Sequence, residues 1–272
     1  MKEAPAVGVH SVYESDIRSG IRAVARAGFQ YVQFDLNVPT FFLDKLSRRD
    51  LREIRALADD SGVRLSFHAP GESVGMYTDF PLLRRGLLDQ MKLILDRAGQ
   101  LNAHHVVFHL LRPPAFLRAD TRLDEIQTRF RDHYKAVLKE NLTELANSGG
   151  TVIVTVENCH LESIAIESLD EMFQQGTDLF LSLDWAKLHR ADGSRDDDQY
   201  RFFQRHSPRI REIHLHDMDM AGTQHLAVGE GRLDFGLLFS QFYDGSQWLT
   251  LEVRPLEEAA RSKAALMTLL EH

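Results

Sequence analysis

Eight short apolar runs recur along the 272 residues with helix-like segments between them, and this alternation constrains the fold more than any single motif. The runs are Val7–Val12, Tyr31–Leu36, Arg64–His68, His105–Leu110, Val152–Glu157, Leu179–Asp184, Ile210–His216 and Trp248–Val253. Several are near-continuous in Val, Ile, Leu and Phe, the pattern of parallel strands covered on both faces. Segments such as Ser15–Ala27, Arg49–Asp60, Leu82–Gln100, Leu123–Asn147 and Arg254–Leu270 carry helical spacing. Ser15 or Asp16 suits the start of the first helix, and Gly28 or Gly62 the end of one. A β-α alternation repeated eight times, without a composition break or a long linker, predicts one α/β domain over residues 1–272. Its expected form is a closed (β/α)8 TIM barrel, for which about 250 residues is usual. An open dinucleotide-binding sheet would show a glycine-rich turn after its first strand. Here that position reads His10-Ser11-Val12-Tyr13.

The hydrophobic fraction of 43% supports a sizeable core. Cys159 is the only cysteine, so no internal disulfide can form and a reducing compartment is expected. The stretch Met1–His10 lacks the basic start and apolar run of a signal peptide, and no apolar stretch reaches the roughly 18 residues of a membrane span. A cytoplasmic protein with no membrane partner is expected. A net charge of −8 provides no general attraction to nucleic acid. The arginines of Ser47-Arg48-Arg49-Asp50 and Leu83-Arg84-Arg85 read as solvated helix faces. A small-molecule partner is favoured, with homo-oligomer formation left open.

The chemistry lies at the ends of the runs. The third ends in His68, the fourth in His109, the fifth in Glu157 and the sixth in Asp184; the seventh ends in His214-Leu215-His216-Asp217, and the eighth carries Glu252. In a barrel these ends meet at one mouth. Taken singly, each residue has an ordinary structural reading as a hydrogen-bonded histidine or a helix cap. Together they would bury several carboxylates and imidazoles in one place, which requires a compensating cation. Glu157, Asp184, His214 and Glu252 make an oxygen-rich set suited to Mn²⁺, Mg²⁺, Co²⁺ or Zn²⁺; one ion is expected and two are possible. His214 and His216 share a strand face, so one can bind metal while the other contacts substrate. Asp217 falls on the opposite face, where capping or ligand orientation suits it better, and Cys159 reads as structural or incidental. Gly229-Glu230-Gly231, preceded by His225, is either a plain turn or a backbone cradle for an anionic or polyhydroxy ligand. Loops at Ala69–Phe80, Arg112–Arg122 and Asp217–Gly231 would line the mouth. Arg112, Arg254 and Glu230 are candidates for substrate or anion binding, the two arginines equally for surface ion pairs.

The segments Phe67-His68-Ala69-Pro70, Val106-Val107-Phe108-His109, Val156-Glu157-Asn158, Leu183-Asp184, Ile213-His214-Leu215-His216-Asp217, His225–Gly231 and Leu251-Glu252-Val253 resemble, in order, the xylose isomerase-like TIM-barrel superfamily. That group contains sugar-phosphate isomerases and epimerases and the endonuclease IV enzymes. The resemblance implies a metal held by Glu157, Asp184, His214 and Glu252, with Glu157 and Glu252 also moving a proton between the two sides of an enediolate. His68, His109, His216 and Lys187 would then fix hydroxyl or phosphate groups. A second implied reading is a zinc phosphodiesterase acting on abasic DNA, for which His68, His109 and His225 match further zinc ligands. That pattern is incomplete here: Lys187 stands where a histidine is expected, with His189 close by, and Thr223 replaces an aspartate. A metal-dependent dehydratase and a non-catalytic metabolite-binding barrel are the remaining readings.

Overall fold

The computed structural model describes residues 5–71, 75–117 and 124–270. The expected loop segments at 72–74 and 118–122, the helix start expected at Leu123, and residues 1–4 of the amino-terminal stretch lie outside the described residues. Eight parallel strands close into a barrel in sequence order: β1 (Val7–Ser11), β2 (Tyr31–Asp35), β3 (Arg64–His68), β4 (His105–Phe108), β5 (Ile153–Glu157), β6 (Phe180–Asp184), β7 (Ile210–Leu215) and β8 (Trp248–Leu251). Each is followed by a helix: α1 (Ile17–Arg26), α2 (Arg48–Ser61), α3 (Pro81–Gln100), α4 (Asp124–Ser148), α5 (Ser163–Gln174), α6 (Asp197–Arg205), α7 (Phe235–Phe242) and α8 (Leu256–Leu270). The (β/α)8 expectation therefore holds, with β3 matching its apolar run and the other strands one or two residues shorter than theirs. Among the described residues no helix is long and apolar enough to cross a membrane.

Local chemistry sets the element boundaries. Asp16, rather than Ser15, caps α1 by accepting from Ser19 N, and Ser19 returns a bond to the Asp16 backbone. Ser47 and Asp50 form the same reciprocal cap on α2, which ends at Gly62 in the left-handed region. The strands then bury branched residues against the helices, as with Val32, Leu65, Val106, Leu181, Ile213 and Leu249.

The barrel interior is unusually polar at mid-height. Gln33, Ser66, His105, Thr155, Ser182, Glu212 and Thr250 are all buried. The Tyr31 ring also enters this layer, its hydroxyl 2.6 Å from Thr250 Oγ1. Gly8 on the adjacent strand makes room, since a Cβ there would lie 2.4 Å from the Tyr31 ring. Register then sets the mouth: β2 places Asp35 beside His68 of β3, and β6 places Asp184 beside His214 of β7. A slip between Leu181 and Ser182 pairs Ser182 with Glu212 and skips Arg211.

Candidate metal centre

Glu157, Asp184 and His214 are fully buried, and Glu252 nearly so. His214 Nδ1 lies 3.1 Å from Glu252 Oε1 and 3.6 Å from Glu157 Oε2. It has no hydrogen bond of acceptable geometry among the described residues. Glu157, Asp184 and His214 each offer one ligand atom within 4.8 Å of the others. A buried imidazole nitrogen without a hydrogen bond, facing carboxylates from different strands, is the donor set a divalent cation requires, so these residues fit a metal. Glu157 also faces the β3–β4 side, with Oε2 2.9 Å from His109 Nε2 and 3.3 Å from His68 Nε2. Those three form a second group of ligand geometry.

Lys187 enters the centre in a way its sequence position did not specify. Its ammonium contacts Glu157 Oε1 and stands 3.0 Å from Asp184 Oδ2, so it balances the carboxylates rather than projecting toward solvent. Burial alone would raise the Glu157 pKa, but Lys187, His109 and His214 together hold it well below the usual carboxylate range. Asp184 behaves likewise: burial pushes up, Lys187 and His216 pull down, and the result is about 2. Burial opposes a charged His214, yet Glu212, Glu252 and Glu157 outweigh it and lift its pKa well above the ordinary value.

Backbone and side-chain contacts orient the ligands. Asn158 Nδ2 donates to the Asp184 carbonyl and its Oδ1 accepts from the Asp184 N–H, stitching the end of β5 to β6. The His225 N–H donates to His216 Nδ1 at 3.0 Å, leaving Nε2 to face Asp184 Oδ2 at 3.4 Å. The His225 ring lies 4.3 Å from that of His216, and its Nδ1 is 3.8 Å from Glu252 Oε2. Sequence reading overlooked Glu212. This buried carboxylate lies directly below the centre, 3.0 Å from His214 Nε2, and it shares a strand face with His214 and His216. The alternation Glu212, His214, His216 was the available signal, obscured because Glu212 sits mid-strand rather than at a strand end.

Several expected ligand-binding positions are otherwise engaged. The Gly229–Gly231 amides do not form an open cradle. Asp217 already fills it, its carboxylate accepting from the N–H groups of Met218, Gly229, Gly231 and Leu233 at 2.8–3.1 Å. A Cβ on Gly231 would lie 2.4 Å from Asp217 Oδ1, so the turn closes around that carboxylate. Glu230 is exposed and 3.7 Å from Arg261 of α8. Arg254 donates to His10 Nδ1 at 2.6 Å. Arg112 lies 3.5 Å from Glu162 at the rim of a cleft of about 850 Å³ that also reaches Lys187, Asn158, Cys159 and Gln224. Cys159 is thus a cleft-lining thiol rather than a core residue. His189, near the absent family histidine, is tied through Nδ1 to the Trp185 carbonyl, and the Thr223 N–H closes a turn on Asp219.

Residues 21–270 match the family described as the xylose isomerase-like TIM barrel. No curated protein matches the chain by sequence. Among solved structures, a D-tagatose 3-epimerase-like protein superposes with a TM-score of 0.77 at 19% identity, covering 98% of this chain and 97% of that one. The 3-keto-D-glucoside 4-epimerase YcjR of E. coli gives 0.70 at 15% identity, with 99% and 100% covered. A protein of Thermus thermophilus, from a crystal soaked with ZnCl2, gives 0.68 at 20% identity, with 97% of each chain covered. At these identities the likeness is one of fold.

Proposed function

This chain belongs to the xylose isomerase-like TIM-barrel family, and we propose that it is a divalent-metal-dependent isomerase or epimerase of a sugar, sugar phosphate or related polyhydroxy compound. The observation that carries the reading is the meeting of Glu157, at the end of β5, and Glu252, directly after β8, at His214 Nδ1 with Asp184 alongside. The sugar epimerases among the structural neighbours support the substrate class. Glu157, Asp184, His214 and Glu252 would hold the ion, which when bound would polarise a carbonyl and its neighbouring hydroxyl and so acidify the C–H of the hydroxyl-bearing carbon.

The remaining work falls to the side chains. Lys187 helps to hold both Glu157 and Glu252 ionised, so each is available as a base. One removes the C–H proton to leave an enediolate, and the other returns a proton on the other side. Lys187, His68, His109 and His216 line the same space and orient hydroxyl or phosphate groups. The test is proton exchange in D2O. Metal-loaded protein should exchange a substrate C–H with solvent across a panel of ketoses and ketose phosphates followed by NMR. Glu157→Gln and Glu252→Gln should each abolish turnover while the fold persists. Exchange retained in both variants would overturn the two-base scheme.

The His68–His109–Glu157 group supports a second reading, in which two ions serve a phosphodiesterase acting on abasic DNA. Nicking of an abasic duplex by zinc-replete protein would favour it; inertness there, with sugar exchange present, would remove it.

A further inference from the structure

On the β1–β2 side of the mouth, two polar groups are held rigidly and left facing one another. His10 is buried, and its Nδ1 lies 2.6 Å from an Arg254 guanidinium nitrogen. A guanidinium only donates, so Nδ1 must present its lone pair, and the ring proton is confined to Nε2. That Nε2 is buried and has no hydrogen-bond partner among the described residues. Across from it stands Asp35. Its Oδ1 is occupied by the Asn37 backbone N–H at 2.8 Å and the Asn37 side-chain amide at 2.9 Å. Its Oδ2 lies 3.9 Å from His10 Nε2.

We propose that His10 and Asp35 form a hydroxyl-binding subsite that reads one hydroxyl of a polyhydroxy ligand beside the metal centre. The 3.9 Å gap is too wide for a direct hydrogen bond, yet one oxygen can lie about 2.8 Å from both atoms. Such an oxygen must accept from Nε2–H and donate to the carboxylate. A hydroxyl does both; an ether, a carbonyl or a methyl group does not. His68 joins the subsite to the metal centre. Its ring meets His10 edge-on with centroids 5.5 Å apart, while its Nε2 lies 3.3 Å from Glu157 Oε2. The subsite is therefore one imidazole ring away from the reacting groups, within reach of a hydroxyl on a neighbouring carbon of the same ligand. His10, Asp35 and His68 also have the spacing of a cation site. The Arg254 guanidinium argues against that use, because it fixes a proton on the nitrogen a metal would need.

The ligand class rests on the epimerase reading, whereas the donor–acceptor geometry does not. Binding of D-tagatose and D-fructose, and of their monodeoxy analogues, to metal-loaded protein is measured by calorimetry for wild type, Asp35→Asn and His10→Gln. At least one monodeoxy analogue should bind wild type roughly 10- to 100-fold more weakly than its parent. Both variants should lose that discrimination by weakening the parent sugar alone, with metal per chain unchanged. Undiminished parent binding in both variants, or loss of a metal equivalent in His10→Gln, would overturn the subsite. A crystal of the metal-loaded protein soaked in glycerol provides an arm independent of sugar binding. A hydroxyl or water oxygen bridging His10 Nε2 and Asp35 Oδ2 supports the subsite even where neither ketose binds, and then only the epimerase reading falls. A metal ion at that position, or a His10–Asp35 contact that closes the gap, overturns it.

Discussion

Glu212 shows how one buried residue governs a site it does not line. Its carboxylate takes a hydrogen bond from Gln33 Nε2 at 2.8 Å, another from Ser182 Oγ at 3.1 Å and a third from Thr250 Oγ1, with His105 Nε2 at 3.0 Å. Burial would raise its pKa, but His105 and His214 hold it well below the usual range. A charge fixed in this way, 3.0 Å from His214 Nε2, electrostatically favours a proton on that nitrogen over one on Nδ1. Glu212→Gln preserves the shape and removes the charge. It should weaken divalent-metal binding by roughly 10- to 100-fold in a chelator-competition titration; an unchanged affinity would mean that packing alone orients the ring. At Gly8, alanine would overpack the Tyr31 ring and should cost about 1–3 kcal/mol in denaturant unfolding. Glu157 and His214 were readable as candidates because carboxylates and imidazoles are rare at the ends of apolar strands. Glu212 was not, because its value depends on the four strands whose side chains surround it.

Between elements, charge and caps act together. Arg18 of α1 reaches Asp50 at 2.8 Å and Glu53 at 3.0 Å on α2. The Ser47 hydroxyl first, and then Arg18, lower the Asp50 pKa from 3.8 to about 2. A carboxylate depressed on folding stabilises the protein above its unfolded pKa and loses that effect as pH falls through the folded value. The melting-temperature difference between wild type and Asp50→Asn should thus be fully present at neutral pH and shrink between about pH 4 and pH 2. A difference that persists at pH 2 would assign the effect to the cap geometry instead. The loop after β7 depends on a single acceptor in the same sense. Asp217→Ala strands four amide donors and should cost about 2–3 kcal/mol by chemical denaturation, with the His216–His225 pair loosened in the NMR spectrum.

For the whole molecule, closing the barrel brings Glu157, Asp184, Glu252 and several imidazoles into one buried volume, so an ion held there as proposed would couple its binding to folding. An ion present at 100 times its dissociation constant adds about 2.7 kcal/mol to the folded state. Stripping with a chelator should therefore lower the melting temperature by roughly 5 °C or more. Restoring Mn²⁺ or Zn²⁺ should recover it, and a melting temperature indifferent to both would oppose a resident ion at Glu157, Asp184, His214 and Glu252.

The barrel itself could be read from the chain alone, because strand and helix periodicity are local and the β-α alternation repeats without interruption. The same locality exposed His68, His109, Glu157, Asp184, His214 and Glu252, each near a strand end that the architecture directs to one mouth. Pairings across the barrel could not be read that way. Lys187 folding back onto Glu157 and Arg254 fixing the His10 proton join residues from different elements, Glu212 beneath His214 is held by side chains of four other strands, and Asp217 fills a glycine turn that its own loop folds around it. They depend on register, on the slip between β6 and β7 and on the angle at which each side chain enters the interior. Those quantities exist only once the sheet has closed, so tertiary structure alone decided how the charges of this centre are balanced and where a ligand's hydroxyl can be held.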